Sequence, residues 1–191
     1  MRHASLAVVL FACIAAAAPA NWTDSIPGYG VETLEWRIPQ EDGEAALEIK
    51  GTIEDVVSQL SMQNPNAAAE IRERGKRELA KRSHLIKRDH ITHSHCNFPG
   101  VLLSAVGRGM DYINGLPGRP TNGPGPGNCG RVSCSNSAGI WWCNDSPHTK
   151  TLDSWSEIGD GVLYLYQGCA GDGGQVFFDG DWNVIVRRAD C

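Results

Sequence analysis

The chain has 191 residues, 17 Lys and Arg against 22 Asp and Glu, a net charge of −5 and 41% hydrophobic residues, which is ordinary for a folded chain of one or two small domains. From Asp89 to the end, six basic residues face ten acidic ones. An acidic part without a Lys/Arg stripe argues against nucleic acid and against an anionic membrane surface as partners.

In chain order, residues 1–20 have the layout of a secretory signal peptide. Arg2 and His3 form a short basic start, Leu6–Ile14 an apolar core too short to span a bilayer, and Ala18-Pro19-Ala20 a small-residue cleavage site. The protein is therefore expected to be secreted and extracellular. Removal of this segment takes Cys13 with it and leaves six cysteines, Cys96, Cys129, Cys134, Cys143, Cys169 and Cys191. An even number in an oxidising compartment predicts a disulfide framework.

Residues 21–88 contain no cysteine, and three dibasic pairs, Lys76-Arg77, Lys81-Arg82 and Lys87-Arg88, stand at their end. A kexin-type protease of the secretory pathway cuts after such pairs. The expected organisation is a pro-segment over 21–88, released after Lys87-Arg88, and a mature cysteine-rich domain over 89–191. Within the pro-segment, Thr33–Ile38 and Ala46–Ile49 read as short strands. Thr52 and Asp55 form a capping arrangement ahead of Val56, Val57 and Leu60 at helical spacing, and 67–82 has helical composition. The segment is expected to assist folding, to block activity or to serve as a spacer.

In the mature part, His90, His93 and His95 read as a flexible polar N-terminus. Pro99 is placed in the first turn of a helix whose stripe is Leu103, Val106, Met110 and Ile113, ending near Gly115. Residues 117–130, rich in Gly and Pro, read as a long surface loop. Arg131–Cys134 and Ile140–Cys143 flank a turn centred on Asn136-Ser137, a hairpin that sets Cys129 nearly opposite Cys143. Trp141 and Trp142 must point to opposite faces of their strand. One enters the core, and the other lies under a loop, at an edge or in a ligand site. Leu152, Trp155, Ile158, Val162 and Leu165 predict a second helix, although Gly159 and Gly161 leave 162–166 open to a strand reading. Asp179-Gly180 between two β-favouring runs predicts a two-residue hairpin turn. The fold class is α+β: a disulfide-stapled two-layer sandwich in the order helix-hairpin-helix-hairpin, with two helices on an antiparallel sheet. Fifteen cysteine pairings are possible. Cys129–Cys143 is expected, and a Cys96–Cys191 bond would tie the ends of the domain.

The run 120–134, followed by Ile140-Trp-Trp-Cys-Asn-Asp145 and by Asp181–Val186 with terminal Cys191, resembles small secreted cysteine-rich proteins of filamentous fungi with a kexin-processed pro-segment. The element order also resembles the necrosis-inducing effector and killer-toxin α/β sandwich domains. The resemblance implies secretion and interaction with a host or competitor surface protein, and it carries no catalytic residues. The expected function is that of an effector or elicitor, with a killer-toxin-like antimicrobial and a carbohydrate-binding module or small hydrolase as alternatives.

No catalytic signature emerges from the residues. A Gly-x-Ser-x-Gly elbow is missing, His148 lies in a polar loop, and Asp153/Glu157 and Asp179/Asp181 read as a helix face and a turn. No enzyme activity, cofactor or metal is expected, and the protein is expected to be monomeric. The candidate binding surface is Trp141, Trp142, Asn144 and Asp145. Asn21 and Asn144 head N-glycosylation sequons, the second followed by Pro147.

Overall fold

The computed structural model describes residues 26–39, 45–82 and 90–191. The signal segment, Asn21, and the Lys87-Arg88 pair lie outside the described residues. The fold is α+β. Among the described residues no helix is long and apolar enough to cross a membrane.

The N-terminal part begins with β1 (Gly30–Glu32), β2 (Glu35–Ile38) and β3 (Leu47–Lys50). β2 and β3 pair as an antiparallel ribbon, with Trp36 opposite Ile49. α1 (Ile53–Gln63) opens on the expected cap: the Thr52 amide donates to Asp55 Oδ2 at 2.7 Å. The shorter aspartate thus does the work a glutamate does in the usual capping box. α2 covers Ala67–Arg82.

The C-terminal part opens on β4 (Ile91–Phe98), not on a loose tail. Its polar sequence hides a strand at the edge of the sheet, where only one side needs a hydrogen-bonded neighbour. Two register shifts against its partner break the alternation further. α3 (Leu103–Gly115) follows, and Pro99 stands ahead of the helix instead of in its first turn. The Gly/Pro segment contains β5 (Thr121–Asn122), which pairs with β8 (Lys150–Thr151). β6 (Asn128–Ser135) and β7 (Ala138–Asn144) form the first hairpin. α4 (Trp155–Gly168) resolves the ambiguity over 162–166 in favour of helix. Its internal glycines are contact points: a Cβ on Gly161 would stand 2.8 Å from Val184, and one on Gly159 would meet the Asn114 side chain. β9 (Gly173–Phe178) and β10 (Trp182–Arg188) form the last hairpin.

The main sheet has the order β1-β6-β7-β10-β9-β4. All its pairings are antiparallel except the edge pair β1–β6, which is parallel. The sheet is therefore mixed, not purely antiparallel, and helix-hairpin-helix-hairpin omits β4 and the N-terminal strand.

Both hairpins depend on residues in left-handed backbone. Asn136 (φ +47°) and Ser137 (φ +58°) make a two-residue turn between Ser135 and Ala138. Counted straight from that turn, Cys129 would face residue 144. A bulge between Arg131 and Ser133 shifts the register by one and sets Cys129 opposite Cys143. In the last hairpin Phe178 pairs with Trp182, so the loop is Asp179-Gly180-Asp181, one residue longer than expected. Gly180 (φ +78°) and Asp181 (φ +61°) supply the left-handed pair. The extra residue matters because it sets which face each side chain of β10 occupies. Val184 opposite Trp142 joins the core under the helices, and Ile185 opposite Trp141 faces the other way.

Among the described residues three disulfides form: Cys129–Cys143, Cys96–Cys169 and Cys134–Cys191. The first is the expected pair. Cys96 does not reach Cys191. It pins edge strand β4 to the end of α4, and Cys191 instead closes the C-terminus onto β6.

Candidate functional site

The apolar helices of the C-terminal part do not cover themselves. One continuous core contains Val106, Ile113, Trp142, Trp155 and Val184 together with Leu34, Trp36, Ile53, Val56 and Ile71 of the N-terminal part. Trp36 and Trp155 stack with ring centroids 3.8 Å apart and planes 14° from parallel. Neither indole is more than 2% exposed. α2 crosses α3 at two glycines: a Cβ on Gly75 would run into the Asp111 carbonyl, and one on Gly115 into that of Ile71. Gly130 leaves the space that the Leu34 side chain fills.

Polar groups fasten the same seam. The Glu54 carboxylate accepts from Ser133 Oγ at 2.6 Å and from the Cys134 amide at 3.0 Å. Arg72 pairs with Asp111 at 3.2 Å, and Arg82 with Asp160 at 2.7 Å. Glu32 accepts from the Gly123 amide at 3.0 Å, tying the Gly/Pro segment to β1. The seam was not legible as a site, because it joins residues far apart in the chain. A glycine at position 75 within an otherwise strong helix-forming run was its one local sign.

The opposite face of the sheet is where Trp141 lies. It is 1% exposed and packs with Ile185, Ala189, the Cys129–Cys143 bond and Ile26. Trp142 is fully buried in the main core. The expected binding surface is corrected accordingly: neither indole is displayed. Asn144 is buried as well. Its Nδ2 donates to the Gly123 and His148 carbonyls at 2.8 and 2.7 Å, and its Oδ1 accepts from the Ser146 amide. That nitrogen is the atom a glycan would occupy, so the folded state has no room for glycosylation at Asn144. Asp145 is half-buried and acts as a tie. It accepts from Asn183 at 2.7 Å and from the Gly127 amide at 3.3 Å. Gln175 continues the line, donating to Asn183 and to the Tyr29 hydroxyl, each at 2.9 Å. Burial, with Asp145 adding to it, raises the Tyr29 pKa above its ordinary value.

A cleft of 630 Å³ lies where the two parts meet, lined by Arg82, His90, Lys150, Asp153, Glu157, Asp160 and Asp179, with Phe178 and Trp182 at its wall. Its carboxylates hold structure. Glu157 caps α4 by accepting from the Asp153 and Ser154 amides. Asp153 pairs with Arg119, Asp160 with Arg82, and Asp179 with His90 at 2.8 Å. Of the other expected histidines, His93 stacks on Phe177 and His95 meets Phe98 edge-on, while His148 is exposed. Among the described residues no group of three His, Cys, Asp or Glu side chains is placed to hold a metal ion.

The chain matches no protein-family model, no curated protein and no solved structure.

Proposed function

We propose that the chain is the precursor of a secreted effector or elicitor of a filamentous fungus, whose disulfide-stapled part, 89–191, acts by binding a host target protein. In this reading residues 21–88 are a folding partner for that part. The observation that carries the second half is the Trp36–Trp155 stack inside a shared core. Without the N-terminal part, α3 and α4 would present an apolar face to water. The first half is supported by the resemblance to fungal cysteine-rich proteins and by three cross-links suited to an extracellular environment. The buried Trp141 and Trp142 offer no platform to a sugar ring, and nothing in the cleft favours the hydrolase alternative.

The test is infiltration of the purified secreted protein into leaves of candidate hosts, paired with virulence of a deletion strain. Cell death or an altered immune response supports the reading. No response in any host together with unchanged virulence contradicts it. Inhibition of competing fungi at low concentration would favour the killer-toxin-like alternative.

A further inference from the structure

Of the chain's four dibasic pairs, Arg187-Arg188 ends strand β10, and Lys76-Arg77 and Lys81-Arg82 lie within α2. A processing protease binds its substrate as an extended strand, whereas here the backbone is committed to helical hydrogen bonds and the helix is clamped onto α3. Lys87-Arg88 falls outside the described residues. Hydrolysis of the Arg88–Asp89 amide, which adds one water, breaks none of the seam contacts among the described residues. The three disulfides all join residues within 96–191, so no covalent bond would then hold the N-terminal part. What would hold it is core: Trp36, Ile53, Val56 and Ile71 are at most 4% exposed. Glu54, Arg72 and Arg82 add charged hydrogen bonds at both ends of the contact.

We propose that the processed protein is a non-covalent two-chain complex, in which the piece ending at Arg88 remains bound to 89–191 instead of being discarded. This rests on the processing step of the reading above, and it is independent of whether any host target exists. The pro-segment is then a subunit: the apolar face of 89–191 has its partner in the same precursor.

The experiment takes the full secreted chain, purified uncut from a host lacking the processing protease, and digests it with a kexin-type protease. Native mass spectrometry and size exclusion read association, and a denaturing, non-reducing gel with N-terminal sequencing reads the cut. The expected result is one new N-terminus at Asp89, two bands under denaturation, and a single native species one water heavier than the uncut chain. Trp36→Ala should weaken association of the cut pair by about thirtyfold or more, as for a central anchor of an interface. If that variant does not fold, Arg72→Ala serves, with a smaller loss in the same direction. A light chain free under native conditions at micromolar concentration would overturn the proposal. So would cleavage within α2 of the native protein, or a chain that exhaustive digestion leaves uncut. None of these readouts depends on a host response, so failure of the effector reading leaves a distinct result.

Discussion

Trp36 and Trp155 face each other at 3.8 Å across 119 positions of chain, one in a short N-terminal ribbon and the other in the first turn of α4. Their contact places the cysteine-free and cysteine-rich parts in one core. Trp36→Ala is expected to destabilise the whole chain by about 3–5 kcal/mol, the usual cost of deleting a buried aromatic side chain. Urea unfolding followed by fluorescence and by far-UV dichroism should give one coincident transition, shifted to lower denaturant. A separate early transition of the N-terminal part would contradict a shared core.

The α2–α3 crossing depends on the absence of two Cβ atoms. Gly75→Ala places a methyl group against the Asp111 carbonyl and is expected to cost about 1–3 kcal/mol despite alanine's better helix propensity. Gly168→Ala is the control, because a Cβ there meets nothing within 4 Å. It should be neutral or stabilise by up to about 1 kcal/mol. Thermal melts of the two variants should move in opposite directions, or the second not at all.

Asn144 is a structural amide. Protein secreted from a glycosylating host should carry no sugar at Asn144, as peptide mapping by mass spectrometry would show. Asn144→Ala leaves the Gly123 and His148 carbonyls without their donor and should cost about 1–3 kcal/mol.

Partial burial raises the Tyr29 pKa, with Asp145 adding to it and the hydrogen bond from Gln175 opposing it. The folded state therefore favours the protonated phenol. This contribution is fully present below the ordinary tyrosine value of about 10 and is lost as pH rises through the higher folded value. Stability measured from pH 8 to 11 should fall more steeply in the wild-type chain than in Tyr29→Phe. Parallel curves would remove Tyr29 as the cause.

Much of the local structure was legible in the sequence. The Thr52–Asp55 cap and the helix over 67–82 follow from spacing within a few residues, and the Cys129–Cys143 pair from the hairpin between its cysteines, although the bulge that sets its register does not. What was not legible depends on sequence-distant neighbours. β4 is polar and bulged, so its strand character comes from β9 beside it. The Cys96–Cys169 bond follows from that pairing. Trp141 and Trp142 alternate as a strand requires, but the sequence does not say that Ile26 and the Cys129–Cys143 bond cover the second face. The surface assigned to them consequently turned out to be interior. The seam itself is a set of matches between two stretches, each unremarkable alone.

The most direct test of the account is to produce 89–191 alone, with its disulfides formed, and to record its amide proton–nitrogen spectrum before and after adding the separate 21–88 chain. The account predicts collapsed dispersion for 89–191 alone, and a dispersed spectrum matching the full chain once the partner is present. A dispersed, full-length-like spectrum of 89–191 by itself, unchanged by the added segment, would contradict it.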